Sequence, residues 1–246
     1  MRDLKLTQNL DNYIGAYGED FDFSFDNEII LNWYPERIKS LTSSKSRVLE
    51  LGIGHGYTCN HFSEYYREYS VIDGSSAVIE QFRSQFPKNK ANIIEGYFEN
   101  FDSQPLFDVI IMGFVLEHVD SPLEILSMYR KFLAPGGCCF VAVPNAESLH
   151  RRFGHAAGLL KDMAILSSGD IALGHQRLYT VESLTAELES CNYTVSHVEG
   201  IFLKPLMTTQ LKSLDLSEDI LQGMCQVGVD YPELSAGFLF QASADE

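Results

Sequence analysis

The sequence predicts a single α/β domain, a doubly wound and mostly parallel seven-stranded sheet with helices on both faces. Short apolar runs alternate with amphipathic stretches between residues 46 and 143, a pattern typical of βα units in a parallel sheet. The first apolar run ends in a glycine-rich turn, and an acidic residue ends the second. The chain has 246 residues, 45% of them apolar, which suffices for one sizeable core.

Seven apolar or β-branched runs are predicted to be the strands. They are RVLEL (47–51), YSVID (69–73), ANIIE (91–95), FDVIIMG (107–113), CCFVAVP (138–144), YTVSHVEG (193–200) and GFLFQASA (237–244). The last two runs predict a terminal hairpin that residues 201–235 interrupt.

Helices are predicted from apolar spacing and capping residues. In SSAVIEQFRSQF, Val78, Ile79 and Phe82 fall on one helical face. SPLEILSMYRKF places Ser121 as a cap and Pro122 in the first turn, and TVESLTAELESC predicts a further helix.

Less regular stretches surround this core. We interpret the chain as one domain with an aromatic N-terminal cap (1–45), a ligand-binding core (46–145) and two insertions (146–179 and 201–235) that form a substrate lid.

Composition excludes several classes of protein. A formal net charge of −16 disfavours nucleic acid as a partner. The five cysteines are odd in number and lack CxxC spacing, so neither a disulfide framework nor a zinc site is predicted. Because no apolar run could cross a bilayer, we expect a soluble, cytoplasmic protein with no membrane partner. A homodimer is left open.

The glycine-rich turn predicts a nucleotide site. Gly52, Gly54 and Gly56 follow the first strand, where a parallel sheet binds ligands and missing Cβ atoms let the backbone approach them. Asp73 ends the second strand, where a carboxylate can accept both ribose hydroxyls. NAD is disfavoured, because position 57 is Tyr where its motif has the last glycine, and Glu50 stands where dinucleotide folds have a small apolar residue.

The segment Glu50-Leu51-Gly52-Ile53-Gly54-His55-Gly56 resembles the first motif of the class I S-adenosylmethionine-dependent methyltransferases, which are Rossmann-like. Similarity extends over residues 46–145, through FDVIIMGFVLEHVDSP (107–122) and LAPGGCCFVAVPN (133–145). The cofactor that this resemblance implies is S-adenosylmethionine.

The same resemblance implies a role for each matching position. Glu50 would order the loop and approach the methionine amino group, the glycines and Gly113 would face the methionine moiety, and Asp73 would bind the ribose. Phe98 and Glu99 would contact adenine. Here the chain departs from the family, since Tyr97-Phe98 stands where many relatives carry an Asp, which favours stacking on the adenine.

Two histidines are candidates for a general base. His175 in GHQRLYT is our first choice and His118 in LEHV the second, because an imidazole that titrates near neutrality can take a hydroxyl proton. The alternative for His118 is a hydrogen-bonded residue that braces its loop.

Arginines in the first insertion suggest an anionic substrate. Arg151, Arg152 and Arg177 could hold a carboxylate or a sugar phosphate, or they could merely pair with acids on a loop.

We therefore expect a methyltransferase that acts on a small molecule, with O-methylation of a sugar or natural-product intermediate favoured. N-methylation, a non-catalytic cofactor-binding module and an NAD oxidoreductase are the alternatives. No paired spacing on one element resembles a metal-ligand set, so metal-independent turnover is expected.

Overall fold

A computed structural model describes residues 24–102 and 106–244 of the chain, which build one seven-stranded sheet flanked by helices. The strands are β1 (Arg47–Leu51), β2 (Glu68–Asp73), β3 (Asn92–Glu95), β4 (Phe107–Gly113), β5 (Leu133–Pro144), β6 (Tyr193–Ile201) and β7 (Gly237–Ala244). The predicted fold class is confirmed.

The helices of the described residues follow the βα alternation expected from the sequence. They are α1 (Ser24–Leu41), α2 (Tyr57–Tyr65), α3 (Ser76–Gln85), α4 (Pro122–Arg130), α5 (Leu149–Ala156), α6 (Ser168–Ala172), α7 (Val181–Ser190), α8 (Thr208–Lys212) and α9 (Glu218–Gly228).

The order of the strands creates a cleft at one edge of the sheet. The order is β3-β2-β1-β4-β5-β7-β6, with β1 to β5 parallel and β7 antiparallel to both of its neighbours. The chain winds outward from β1 in one direction and then returns to place β4 on the other side of β1. The loops after β1 and β4 therefore diverge, and ligands of such sheets bind where they part.

Residues of opposite parity on each strand supply the two faces of the core. Leu49 and Ile110 belong to the apolar cluster on one face, whereas Val48 and Ile111 belong to the cluster on the other. Because helices cover both faces, the strands are apolar throughout rather than alternating, as expected for a parallel sheet.

Apart from shifts of one residue at strand ends, two details differ from the sequence-based prediction. Strand β5 begins at Leu133 rather than at Cys138, because Leu133 already pairs with Phe107 ahead of a register shift in β4. The side chain of Ser121 accepts no capping hydrogen bond, and α4 begins with Pro122, whose fixed φ suits the first turn.

The two segments interpreted as insertions carry helices. The first carries α5 and α6, and the second carries α8 and α9 between the paired strands β6 and β7. Residues 1–23 lie outside the described residues, so the aromatic N-terminal segment is observed only from Ser24 onward. The division into cap, core and lid stays a prediction. Among the described residues, no helix is long and apolar enough to cross a membrane.

Substitution of Gly200 by Ala is expected to destabilise the fold. A Cβ atom at this position in β6 would overlap the Gly228 carbonyl oxygen and the side chain of Ser235. We expect the free energy of unfolding to fall by about 1–3 kcal/mol, as for other overpacked sites, measured by urea denaturation. The control is Gly223→Ala in α9, where a Cβ meets no atom within 4 Å. Equal stability of the two variants would contradict this account of the packing.

Candidate active site

A cavity of about 680 Å³ lies at the carboxyl ends of β1, β2 and β4, covered by α1 and the first insertion. Its volume falls in the range of small-molecule sites. The predicted cofactor residues on its wall are Gly52, Gly54, Gly56, Asp73, Phe98, Glu99 and Gly113. Glu50 is the predicted cofactor residue that does not reach the wall.

The glycine loop has a backbone that other residues rarely adopt. Gly52, Gly54 and Gly56 have φ angles of +79°, +54° and +82°, all in the left-handed region. Helix α2 then begins at Tyr57, at the end of this loop. No side chain caps the first amide groups of the helix. The loop can therefore lie close against a ligand.

Asp73 holds the glycine loop in place from the cavity wall. Its Oδ2 atom accepts a hydrogen bond from the Ile53 amide at 2.8 Å, and its Oδ1 atom accepts one from the Ser75 amide at 2.8 Å. Burial raises the pKa of this carboxyl, and the two amides oppose that shift. Each oxygen retains a further lone pair, so the carboxylate can still accept bonds from a ligand.

Glu50 lies behind the loop rather than on the cavity wall. The Thr58 hydroxyl donates to its Oε1 atom at 2.6 Å, and the Tyr69 hydroxyl donates to Oε2. Burial raises the pKa of Glu50 to about 7, although both hydroxyls act in the opposite direction. The loop-ordering role implied by the family resemblance fits this position. The implied contact with the methionine amino group does not, because both oxygens are already engaged and buried.

The predicted adenine contacts lie together at one end of the cavity. Phe98 and Glu99 belong to a short 3₁₀ turn, Phe98–Asn100, and the Tyr129 hydroxyl donates to the Phe98 carbonyl at 3.1 Å. The ring of Phe98 is thus presented by a turn that is anchored to α4.

Gly113 is required at its position for a reason that the sequence did not reveal. The hydroxyl of Tyr34, from α1, lies so close that a Cβ at position 113 would overlap it. Tyr34 is buried and also lines the cavity. Nothing in its sequence neighbourhood marks it, since α1 reaches the site only through the tertiary fold.

Glu117, His118 and His175 form a compact cluster on the cavity wall. One ligand atom from each residue lies within 4.8 Å of the others, and the two imidazole rings meet edge to face with centroids 4.8 Å apart. Both histidines proposed as bases are therefore in one place. Glu117 was missed, although it directly precedes His118 in the sequence.

Burial dominates the electrostatics of this cluster. It raises the pKa of Glu117 to about 7, against the effect of the nearby His175. It lowers the pKa of His118 to about 3, and His175 adds to that shift. Neither carboxylate oxygen of Glu117 has a hydrogen-bond partner. Because its pKa is about 3, His118 is neutral at physiological pH.

Asp170 stands beside His175 on the first insertion. The Nδ1 atom of His175 lies 3.3 Å from Asp170 Oδ1, although the angle is too poor for a hydrogen bond. Asp170 also accepts bonds from the amide and hydroxyl of Ser167 at the start of α6. Burial opposes its ionisation, but His175 and Ser167 lower its pKa to about 2. A permanent negative charge thus faces the ring of His175.

The three predicted substrate arginines mostly brace the insertion. Arg151 lines the cavity, but its guanidinium donates to the carbonyls of Met163 and Ile165. Arg152 pairs with Glu147 at 2.7 Å. Neither Arg152 nor Arg177 lies on the cavity wall.

Arg177 hydrogen-bonds the loop that follows β4. Its guanidinium donates to the carbonyls of Leu116 at 2.8 Å and of Val119, on either side of the Glu117–His118 pair. It therefore fixes the loop that carries two members of the cluster. A sequence alone does not distinguish an arginine that satisfies buried carbonyls from one that binds a substrate.

The geometry fits an adenosine-containing cofactor, and comparison with known proteins agrees. The model of a family described as "Methyltransferase domain" matches residues 30–198. The chain belongs to this methyltransferase domain family. The assignment made from the sequence to the class I S-adenosylmethionine-dependent methyltransferases, and with it the cofactor, is confirmed.

Curated relatives of this methyltransferase domain are named for oxygen methylation. A ubiquinone biosynthesis O-methyltransferase of Rickettsia conorii is 25% identical over 146 residues, covering 57% of this chain and 50% of the relative. The mitochondrial enzyme of that name from Candida albicans is 29% identical over 156 residues, covering 59% and 48%. The chain thus spans about half the length of the curated relatives it matches.

Solved structures share the fold over nearly the whole chain. A possible histamine N-methyltransferase of Thermotoga maritima superposes with a TM-score of 0.61 and 17% identity, covering 91% of this chain and 93% of that one. The N-methyltransferase NodS of Bradyrhizobium japonicum, solved with S-adenosyl-l-homocysteine, has a TM-score of 0.56 and 14% identity, covering 93% and 90%. At such identities the likeness concerns the fold alone.

The buried Glu50 predicts a specific pH dependence of stability. Its pKa is about 7 in the folded protein against 4.5 for an unperturbed carboxyl, so the folded state favours the protonated form. Its contribution to stability is therefore full below pH 4.5 and is lost as the pH rises through 7. A complete loss is on the order of 3 kcal/mol.

Glu50→Gln stays neutral and is expected to lose less stability between about pH 5 and about pH 8 than the unmodified protein. Urea unfolding at both pH values measures the difference, with exposed Glu64→Gln as the control. An identical pH dependence of the unmodified protein and Glu50→Gln would show that Glu50 is not buried as described.

Proposed function

We propose that this chain uses S-adenosylmethionine to methylate an oxygen of a small molecule. The observation that carries the proposal is the shared cavity, in which the glycine loop and Asp73 lie on one side and the cluster of Glu117, His118 and His175 on another. A cofactor held by the first group and an acceptor held near the second would meet inside one cavity.

The chain's own residues provide each part of a cofactor site. Asp73 accepts the ribose hydroxyls with its remaining lone pairs, the ring of Phe98 stacks on the adenine, and the glycine loop and Gly113 receive the methionine portion. When bound, S-adenosylmethionine supplies a methyl group on a positively charged sulfur. The protein contributes by fixing the distance and the line of approach of the acceptor, which can account for much of the rate of such a displacement.

An acceptor hydroxyl must lose its proton before or while it attacks. The cluster is the part of the cavity equipped for this, because His118 is neutral and His175 has a carboxylate at its Nδ1 atom. We propose that the acceptor oxygen lies against this cluster and that His175, then His118, are the residues on which its deprotonation depends.

The acceptor is proposed to be a sugar or another natural-product intermediate. The names of the curated relatives support a small-molecule oxygen acceptor in general rather than a sugar in particular. The cationic residues of the cavity wall among the described residues are Arg151, which donates to main-chain carbonyls, and Lys204, which pairs with Asp26, so an anionic group on the substrate would compete with these partners. Apolar side chains such as Leu31, Phe114 and Leu178 provide the rest of the surface.

Nitrogen methylation is the second candidate. Proteins of similar fold are named as N-methyltransferases, and an amine needs no base beyond the one that keeps it neutral. Identification of the methylated atom in the product separates the two, and a chain that binds the cofactor but transfers nothing would be a binding module.

Asp73→Asn is expected to weaken cofactor binding by at least about 10-fold. The reason is that the Asn side chain carries a donor NH₂ group in place of one of the two acceptor oxygens of the carboxylate. Isothermal titration with S-adenosylhomocysteine measures the effect, and NAD should give no saturable signal. Glu95→Gln is the matched control, since Glu95 sits beside Asp73 in the next strand but off the cavity wall. Unchanged affinity of Asp73→Asn would exclude the proposed ribose contact.

His175→Ala is expected to lower kcat by about 100-fold with an acceptor found by screening hydroxylated small molecules. The KM for S-adenosylmethionine should change little, because His175 is not among the residues proposed to hold the cofactor. His155→Ala, in the same insertion but outside the cavity, serves as the control. Full activity of His175→Ala would remove this residue from the reaction.

A further inference from the structure

Glu117 is a buried carboxylate for which the protein provides no partner. Its exposed fraction is 0%, and neither of its oxygens accepts a hydrogen bond from another residue within the described part of the chain. Glu50, buried to the same degree, receives two hydroxyl groups. Buried carboxylates are normally hydrogen-bonded, paired with a cation or bound to a metal. Glu117 is thus set apart from the structural carboxylates of this fold.

Glu117 lies beside two imidazoles that can join it in a ligand set for a cation. A carboxylate oxygen and two imidazole nitrogens approach within 4.8 Å of one another. A divalent transition metal sits at roughly 2.0–2.2 Å from oxygen and nitrogen ligands, so the three side chains would draw together slightly to hold it.

We propose that Glu117, His118 and His175 bind a divalent transition-metal cation. Two imidazoles and one carboxylate form a ligand set used for Zn²⁺ and similar ions, with a coordination position left open. Magnesium is the poorer match, because it prefers oxygen ligands. The sequence-based expectation of no metal rested on spacing within single elements, whereas His175 joins the other two only through the fold.

The surroundings of the cluster include outer partners of the kind that orient metal-binding histidines. The ring of His118 hydrogen-bonds the backbone of Gly174, and Asp170 faces Nδ1 of His175 at 3.3 Å. A hydrogen bond of this kind fixes the orientation of the His118 ring and leaves its other nitrogen to the metal, and the Asp170 carboxylate lies where it favours a proton on Nδ1 of His175. Arg177, although cationic, directs its guanidinium at the Leu116 and Val119 carbonyls and thereby holds the loop that carries Glu117.

A metal at this position would also explain how the acceptor is activated, an extension that rests on the proposed function. Coordination of the acceptor hydroxyl at the open position lowers its pKa, so that the O–H bond breaks and the proton passes to water. The oxygen lone pair then forms the bond to the methyl carbon, and the carbon–sulfur bond breaks with its electrons on sulfur. In this arrangement His175 acts as a ligand rather than as a free base.

Titration with Co²⁺ tests the site without any substrate. The purified chain is treated with a chelator, dialysed and titrated with Co²⁺ while visible absorption is recorded. We expect a ligand-field spectrum that saturates at about one cation per chain. Zn²⁺ should displace the bound Co²⁺, and the same concentration of Mg²⁺ should not. Glu117→Gln, His118→Ala and His175→Ala should each weaken Co²⁺ binding by more than about 10-fold, and His155→Ala should not.

Calorimetry with S-adenosylhomocysteine on each variant shows that it is folded and separates this proposal from the proposed function. The absence of a saturable Co²⁺ spectrum in the unmodified chain would overturn the metal site, even if S-adenosylhomocysteine binds. A spectrum that is unchanged in Glu117→Gln and His175→Ala would overturn it as well. If Co²⁺ binds as expected but S-adenosylhomocysteine does not, the metal site stands and the proposed function fails. Asp170→Asn, which alters only an outer partner, should weaken Co²⁺ binding without abolishing it.

Discussion

The left-handed backbone of the glycine loop is the constraint on which the rest of the site depends. Three glycines with positive φ cannot hold their shape by themselves, because glycine is the residue with the most conformational freedom to lose. Two carboxylates, the buried Glu50 and the half-buried Asp73, supply the missing restraint. Glu50 connects β1 to Thr58 in α2 and Tyr69 in β2, whereas Asp73 binds the Ile53 amide within the loop. The loop is therefore preorganised by the sheet itself.

The opposite wall of the cavity is assembled from segments distant in sequence. The Gln176 amide donates to the Glu117 carbonyl at 2.8 Å, and Arg177 satisfies the carbonyls on either side. The first insertion is thereby tied to the loop after β4 through backbone groups rather than through side-chain packing. Because such bonds fix main-chain positions, they place His175 beside Glu117 and His118 even though the sequence between the loop and the insertion is long. The first insertion and the loop that carries Glu117 and His118 therefore form one structural unit.

The two walls of the cavity differ in how much of their structure the sequence predicts. The parallel strands, their order of appearance, the glycine loop and Asp73 follow local rules of periodicity and turn chemistry, and the structure reproduces them. Tyr34 and Lys204 reach the cavity only through tertiary packing, which leaves no local pattern. The arginines illustrate the opposite problem. Arg177 resembles a substrate ligand in sequence, yet its guanidinium is consumed by carbonyls of the neighbouring loop. Charge is visible in a sequence, but hydrogen-bond satisfaction is not.

Glu50 and Glu117 show that hydrogen bonding to the carboxylate oxygens, rather than burial, distinguishes a structural carboxylate from a functional one. Burial raises the pKa of each to about 7, so burial and pKa alone would rank them equally as site candidates. Their partners differ: Glu50 receives two hydroxyl groups and lies behind the wall, whereas Glu117 receives none and lies beside two imidazoles. A fold gains nothing from a buried carboxylate left without a partner, since an apolar side chain of similar size would be more stable there. The unpaired acid is therefore the one whose presence needs a ligand to explain it.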